Sequence, residues 1–164
     1  FSDYGKGGLE HITRMILLAT KSGKCVLVDP KGTDFEKYRG ASYITPNKAE
    51  LRNVIGSWSS EDDLNDKVQL LRDNLDLDGV LLTRSEEGMS LYQAENISHF
   101  PTSAQEIYDV SGAGDTVIGI LAVMLGGGCE IDQSVTCANR AAGIVVGKLG
   151  TATVNFSELF AQDD

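Results

Sequence analysis

The sequence predicts an α/β fold built around one mostly parallel sheet with an antiparallel edge. Short apolar segments with the length of buried strands alternate with longer segments in which apolar residues recur at helical spacing. That alternation is typical of parallel strands joined by crossover helices. Three more short strands follow one another through polar turns, which predicts a meander beside the parallel part.

The first half of the chain is predicted to form the parallel strands and the helices between them. Apolar residues three or four positions apart indicate the helices, and Gly23 and Gly56 stand where a C-terminal cap is expected. Short apolar runs that end at a proline indicate the strands. In chain order the elements are a helix over residues 8–22, the strands CVLVD (25–29) and SYITP (42–46), and a helix that opens at Pro46 and Asn47 and runs to Gly56.

The second half is predicted to form a further helix, the meander and two strongly apolar helices. A serine pair followed by three acidic residues resembles a capping box and marks the start of the first of these helices. In helix 113–126 apolar residues cover both faces, so we expect it to be buried nearly all round. In chain order the elements are a helix from Ser59 to about Asp76, strands over 79–83, 89–93 and 97–100, and helices over 113–126 and 132–148.

Charge and composition exclude several classes of protein. The net charge is −10 and lysine and arginine form no dense cluster, which argues against nucleic acid as a partner. No segment approaches the roughly 20 apolar residues that a membrane span needs, and no secretory signal is present. The three cysteines form no CxxC pair, so reduced and buried thiols are expected. We therefore expect a cytoplasmic protein without a nucleic acid or membrane partner.

The segment DVSGAGD (109–115) predicts a phosphate-binding turn. Its glycines allow the backbone to approach a ligand closely, and the first N–H groups of helix 113–126 have no partner within that helix. Together with the helix dipole, these donors make a site for an anion such as phosphate. The dipole also favours the carboxylate form of Asp115, which suits it to orient a hydroxyl and accept its proton late in phosphoryl transfer.

Plainer interpretations of the same residues remain open. An isolated glycine-rich turn is most often a tight turn, with Asp115 as a helix-capping acid. The dinucleotide fingerprint GxGxxG needs glycine where Val117 stands, which disfavours an oxidoreductase. The segment GIVVGKL (143–149) is one residue short of a Walker loop, and Leu149 replaces the required serine or threonine. A nucleotide-binding or regulatory module without catalysis stays the alternative to a kinase.

Several blocks of the sequence together resemble a known family. DVSGAGD resembles the signature of the ribokinase-like (PfkB) carbohydrate kinases, and TPNKAE, TRSEEG, ANRAAG and GKLGT follow the family's order. The resemblance runs over nearly the whole chain. It implies a three-layer α-β-α ribokinase-like fold and ATP with Mg²⁺ as cofactors, and it allows for a monovalent cation. It also implies that residues 1–164 are the C-terminal, nucleotide-binding half of a kinase domain whose other half holds most of the sugar site.

The resemblance implies roles at the phosphates and at the metal. Asp115 takes the role of the general base. TPNKAE matches the family's NxxE element, which places Asn47 and Glu50 near Mg²⁺ through its waters. From the residues alone, a helix cap and a surface acid are the alternative for this pair. The anion hole implied by the resemblance is formed by the backbones of Gly112, Ala113 and Gly114.

Four more residues are implied to lie near the nucleotide. TRSEEG (83–88) stands where the family shows a Thr-x-Gly-x-x-Gly loop, which implies contacts from Thr83, Ser85 and Gly88, with Ser85 in place of the first glycine. ANRAAG resembles the helix beside the adenine, which makes Asn139 a candidate there.

Two lysines are candidates from their positions in loops. Lys31 follows a strand end and could meet a phosphate as a point charge, although a solvated loop lysine is an equal alternative. For Lys6, in SDYGKG, the same two alternatives hold, a phosphate contact or a solvated loop lysine.

The closest match within the family is its heptose-phosphate kinase branch, on SDYGKG, DPKGTDFEKYRGA, TRSEEGMSL and YDVSGAGDTVIG. This implies phosphorylation of D-glycero-β-D-manno-heptose 7-phosphate at O1, for ADP-heptose and the lipopolysaccharide inner core. ATP and a sugar phosphate are the implied partners, in a homo-oligomer of the full-length enzyme. We expect little turnover from the segment alone, together with exposed apolar surface.

Overall fold

The structure, a computed structural model, describes residues 1–103 and 108–161. Its helices are α1 (Ile12–Lys21), α2 (Lys48–Ile55), α3 (Glu61–Asn74), α4 (Ala113–Gly126), α5 (Ile131–Val146) and α6 (Phe156–Leu159). Its strands are β1 (Leu27–Val28), β2 (Tyr43–Ile44), β3 (Gly79–Thr83), β4 (Met89–Gln93) and β5 (Ile97–Phe100). Within the described ranges, no helix has the length and apolar character needed to cross a membrane.

The strands form one mixed sheet in the order β1-β2-β3-β4-β5. Strands β1, β2 and β3 are parallel, with Leu27 opposite Tyr43 and Ile44 opposite Val80. The start of the chain runs alongside the end of β1, where Ser2 forms a parallel bridge with Asp29. The predicted α/β class and its mostly parallel sheet are confirmed, because the crossover helices return the chain to the same edge before each parallel strand.

The chain divides into two compact units. The first unit comprises Phe1–Arg84 and Ser90–His99, and the second comprises Ser85–Met89 and Phe100–Asp164. In the first unit the inward faces of α1, α2 and α3 pack with alternate residues of β3 and with the other parallel strands. Its fully buried members include Ile12, Ile16, Ile44, Leu51, Leu64, Val68, Val80 and Leu82.

In the second unit α4 packs against α5. Val117 and Leu121 are the buried residues of α4, whereas Val123 is 71% exposed. The expectation that α4 is buried nearly all round is therefore wrong, because burial requires neighbours on every side and α5 covers one face. Apolar content alone did not show which faces would be covered.

Other boundaries differ from the predicted ones for local reasons. Helix α1 begins at Ile12 and not at residue 8, because Gly7 has a φ of +82° and the N–H of Glu10 donates to its carbonyl in a turn. The expectation of buried thiols is wrong, because Cys25 is exposed beside β1 and Cys129 and Cys137 are only partly buried. Helix α6 was not predicted, since four residues are too short for a periodic pattern.

Candidate active site

The segment 109–115 forms a tight turn, and hydrogen bonds to the C-terminal end of α5 fix its start. The carbonyl of Val146 accepts hydrogen bonds from the N–H groups of Tyr108 (2.8 Å) and Asp109 (3.2 Å). The Asp109 carboxylate accepts the N–H of Ser111 at 2.8 Å, and this bond lowers the pKa of Asp109. Gly112 follows with a φ of +80°, a conformation that favours glycine.

The turn opens directly into α4. Gly112 is the N-cap and has no side chain that could cap this helix, and the N–H of Ala113 donates to the Val110 carbonyl at 3.3 Å. A Cβ at position 112 would lie 3.4 Å from the Thr151 methyl group, an ordinary van der Waals contact, so the preference for glycine comes from the positive φ. Asp115 lies exposed in the first helical turn. The N-terminal N–H groups of α4 and this carboxylate therefore stand together, as an anion site with an adjacent base requires.

The loop after β3 adopts the backbone conformations that its glycine pattern implies. Ser85 has a φ of +55°, so it occupies the left-handed region although it is not glycine. Gly88 has a φ of +88°, and its N–H donates to the Ser85 carbonyl at 3.0 Å. A Cβ on Gly88 would lie 2.0 Å from the carbonyl oxygen of Phe100, which only glycine avoids. Ser85 thus adopts a backbone conformation that favours glycine.

Asn139 lies in α5 with 7% of its surface exposed. Its side-chain Nδ2 donates to the carbonyl of Pro101 at 2.7 Å. The structure therefore places Asn139 and Gly88 against the same short segment, residues 100–102.

In the first unit, other candidates collect at the carboxyl ends of the parallel strands. Lys31 follows β1, Asn47 follows β2, and Thr83 ends β3. Asn47 and Thr83 form a parallel bridge, and the N–H of Thr83 donates to the Pro46 carbonyl at 3.0 Å. This edge is where ligands bind in open α/β sheets.

Asn47 and Glu50 close the start of α2 as a capping box. The Asn47 Oδ1 accepts the N–H groups of Ala49 and Glu50, each at 2.9 Å, and the Glu50 Oε2 accepts the N–H of Asn47 at 3.0 Å. Glu50 is 8% exposed, and its Oε1 pairs with the Lys31 ammonium. The hydrogen bond to Glu50 raises the pKa of Lys31 against the opposing effect of burial.

The fit of Mg²⁺ to these residues follows from their chemistry. A carboxylate and an amide oxygen are ligands of the type that Mg²⁺ takes, commonly through water. Direct ligation would compete with the capping box, so only a water-mediated contact agrees with the observed bonds. No group of three or more His, Cys, Asp or Glu side chains in residues 1–103 and 108–161 is arranged to hold a metal ion.

A buried network that the sequence did not reveal supports the Lys31 loop. Asp3 is 6% exposed and accepts hydrogen bonds from Gly5 N–H (2.8 Å), Lys37 Nζ (2.7 Å) and the Tyr38 hydroxyl (2.7 Å). Burial alone would raise the pKa of Asp3, but these bonds lower it to about 2. The Tyr38 oxygen also accepts the N–H of Lys31 at 2.9 Å. Lys37 and Tyr38 are 34 and 35 positions from Asp3 in the chain, so no local pattern could indicate the network.

Lys6 lies exposed in the loop that follows Asp3. It lines a surface pocket together with Ser2, Tyr4 and Leu9. The structure places this loop near the aliphatic part of Lys31, whose Cγ is 3.7 Å from the position of a Cβ on Gly5.

The sequence matches the pfkB family carbohydrate kinases over residues 7–157. It is 55% identical over 159 residues to the bifunctional protein HldE of Proteus mirabilis, and 54% identical to that of Psychromonas ingrahamii. The matches cover 96% of this chain but 34% and 33% of those proteins. The chain thus spans about a third of the length of the curated relatives it matches.

Solved structures share its fold. Ribokinase from Thermotoga maritima superposes with a TM-score of 0.77 at 24% identity, covering 90% of this chain and 51% of that one. Phosphofructokinase-2 from Escherichia coli, in complex with potassium, gives 0.81 at 20% identity, covering 92% and 50%. These likenesses confirm the predicted ribokinase-like fold. With the signature turn of 109–115 at the start of α4 and a family match over most of its length, the chain belongs to the pfkB family of carbohydrate kinases.

Proposed function

We propose that residues 1–164 form the C-terminal, nucleotide-binding half of the kinase domain of an ATP-dependent sugar-phosphate kinase. The observation that carries this proposal is the glycine turn at the uncapped start of α4, with Asp115 in the first helical turn. A turn that only bound an anion would gain nothing from a carboxylate beside it, because the two negative charges repel. Membership of the pfkB family supports the same assignment.

In the proposed reaction, the hydroxyl oxygen of the acceptor forms a bond to the γ-phosphorus, and Asp115 accepts the proton that this hydroxyl loses. The bond between that phosphorus and the β–γ bridging oxygen breaks, and ADP leaves with the electron pair. The backbone N–H groups of Gly112, Ala113 and Gly114 hold the oxygens of the transferred group, where they stabilise its charge. Asn47 and Glu50 would hold Mg²⁺ through its waters, and that ion neutralises phosphate charge when it is bound.

The remaining candidates are assigned to the nucleotide and to phosphates. Thr83, Ser85 and Gly88 supply the loop for the nucleotide, and Asn139 belongs to its base end. The left-handed conformation of Ser85 supports the loop assignment, because it keeps the backbone shape of a glycine. Lys31 and Lys6 are assigned to phosphate groups, and both lie in loops of the sheet's carboxyl edge.

The acceptor is proposed to be D-glycero-β-D-manno-heptose 7-phosphate, phosphorylated at O1 in the cytoplasm. This is supported by identity above 50% to HldE proteins across nearly the whole chain. A monovalent cation and a homo-oligomeric state are further proposals. They are supported by the potassium complex and the tetrameric form of Escherichia coli phosphofructokinase-2.

The test is a coupled assay of ADP release by the complete gene product with a panel of sugar phosphates. We expect the heptose 7-phosphate to give the highest kcat/KM, and phosphorus NMR to show a new phosphate at O1. Faster turnover of another sugar phosphate would overturn the substrate assignment. Nucleotide binding without turnover of any sugar would instead identify a binding module.

A further inference from the structure

The buried side-chain amide of Asn139 forms a hydrogen bond with the protein backbone. Its Nδ2 donates to the Pro101 carbonyl at 2.7 Å, and the residue is 7% exposed. A buried polar group without a partner costs free energy, so this bond fixes the place of the Pro101 peptide against α5. The partners are 38 positions apart in the chain, which means that the bond joins two separate segments of the second unit.

The Pro101 peptide in turn lies directly on Gly88. A Cβ built on Gly88 would be 2.0 Å from the Phe100 carbonyl oxygen, 2.6 Å from the Thr102 nitrogen and 2.7 Å from the Pro101 carbonyl carbon. These three atoms belong to consecutive residues, so the backbone of 100–102 covers the α-carbon of Gly88. Any shift of Pro101 must therefore move or release Gly88, because packed interiors leave no slack at such distances.

Gly88 closes the loop assigned to the nucleotide. Its N–H donates to the Ser85 carbonyl at 3.0 Å, and both residues have positive φ angles. A serine in the left-handed region is retained only where its surroundings enforce that conformation. The contacts of Asn139 with Pro101, and of residues 100–102 with Gly88, are surroundings of this kind.

We propose that Asn139 is a positioning residue, which holds Pro101 against Gly88 so that the loop 85–88 keeps its nucleotide-binding shape. The amide acts through the backbone and does not recognise the base by its edge. This inference rests on the proposed function, since it takes the loop to be a nucleotide site. It predicts that losing the amide weakens every nucleotide alike, whatever substituents the base carries.

The experiment measures dissociation constants by calorimetry for ADP, IDP and purine riboside 5′-diphosphate, which differ at the 6-position of the base. The complete gene product is compared with its Asn139→Ala and Asn139→Asp variants. Aspartate keeps the size of the side chain but loses the donor. We expect both variants to weaken all three ligands by a common factor of about five to ten, which is the loss of about one hydrogen bond. The ratios between the ligands should stay within twofold of the wild type.

Two results would overturn the inference alone. One is a change of more than fivefold in the ADP to IDP ratio, which would mean that Asn139 reads the base. The other is unchanged affinity for all three ligands, which would mean that Asn139 does not act on the loop. If the wild type binds none of the nucleotides, the proposed function itself fails, and the two failures are therefore distinguishable.

Two further variants guard against loss of folding. Asn139→Ser leaves a smaller cavity and a polar group that is too short to reach Pro101, so it should show the same uniform weakening in a folded protein. Asn155→Ala is the matched control, because Asn155 is another asparagine of the second unit and caps α6. It should leave all three affinities unchanged. Weakening by Asn155→Ala equal to that by Asn139→Ala would also contradict the inference.

Discussion

Helices α2 and α4 both begin at a proposed ligand site, but their first turns are completed differently. At the start of α2, the side chains of Asn47 and Glu50 satisfy each other's backbone N–H groups. At the start of α4, the N-cap is Gly112, which has no side chain to cap the helix, and the Thr116 hydroxyl donates to the Gly112 carbonyl at 2.8 Å. The comparison indicates that side chains close the α2 end, whereas the N-cap of α4 supplies no side-chain acceptor. Of the α4 donors, the Ala113 N–H makes a long bond of 3.3 Å to the Val110 carbonyl, which a bound anion would have to replace.

The same difference extends to the two units. In the first unit charged side chains pair with one another, as Asp3 does with Lys37 and Glu50 with Lys31. In the second unit the proposed site is shaped by backbone, through Gly88 and Gly112. Substitutions of Asp3 or Lys37, which have no proposed site role, should therefore act mainly on stability, and Asp115 should act mainly on catalysis.

The strongest test of this division is Asp115→Asn in the complete gene product. We expect kcat to fall by about 10²- to 10⁴-fold, because the amide cannot accept the proton of the attacking hydroxyl. The melting temperature should stay near that of the wild type, since Asp115 is exposed. Asp132→Asn is the matched control, as Asp132 lies in the first turn of α5. Turnover within tenfold of the wild type would remove the base assignment.

The next test asks whether backbone contact fixes the loop at Gly88. Gly88→Ala should lower the free energy of unfolding by about 3 kcal/mol or more, because overpacking adds to the cost of a positive φ. Gly128→Ala is the control, since Gly128 has a φ of +85° and no atom within 4 Å of an added Cβ. It should cost only about 1–2 kcal/mol. Equal losses in urea denaturation would show that the contact with residues 100–102 contributes nothing.

The closed network of the first unit can be tested by pH. The Asp3 pKa of about 2 lies below its ordinary value of 3.8, so the unfolded chain binds more protons between these values. The resulting stabilisation of about 2 kcal/mol is present above pH 4 and is lost as pH falls through 2. Asp3→Asn should lose it at pH 7 and flatten the acid limb of the stability curve. Identical limbs in wild type and variant, measured by denaturation from pH 2 to 5, would refute this.

The capping box of α2 is expected to have a smaller effect. Asn47→Ala should lower the free energy of unfolding by about 1 kcal/mol, the usual loss for a helix N-cap. Asn155→Ala removes the equivalent box from α6, and should cost less because α6 has only 4 residues. Denaturation of both variants gives the comparison. If Asn47→Ala were neutral, α2 would not be closed by its own side chains.

The smallest effect is expected at the loop serine. Ser85→Gly should raise the free energy of unfolding by about 0.5 kcal/mol, because relief of the positive φ slightly exceeds the added entropy of glycine in the unfolded chain. The measurement is again urea denaturation, with ADP affinity as a second readout that should not fall. A loss of stability would mean that the Ser85 side chain makes a contact more valuable than the strain it carries.

Local patterns predicted the elements whose signals are contained within them. Strands 79–83, 89–93 and 97–100 and helix 113–126 were predicted with the bounds that the structure has, because flanking glycines and polar turns mark their ends. The glycine turn before α4 was also predicted, since glycines before a helix are a local signal, and phosphate binding by that turn stays a prediction. The start of α1 was misplaced because the turn at Gly7 depends on a backbone angle that composition does not fix.

Features that depend on distant contacts could not be predicted. The pairing of Lys31 with Glu50 joins the loop after β1 to the first turn of α2, and the sequence indicated the two residues only as separate candidates. The capping box at Asn47 was open as an alternative to a metal role, and the structure shows its hydrogen bonds. The bond from Asn139 to Pro101 needed the packing of the second unit, which spacing along the chain does not describe.

Helix α5 holds Pro101 through Asn139 and the base of the phosphate turn through the Val146 carbonyl. Asn139 and Val146 are seven positions apart in this continuous helix, which corresponds to about 10 Å along its axis. One rigid helix, and not a flexible loop, therefore fixes the distance between the part of the site proposed for the nucleotide base and the part proposed for the phosphates. A ligand that contacts both parts would have to have a length that fits this fixed distance.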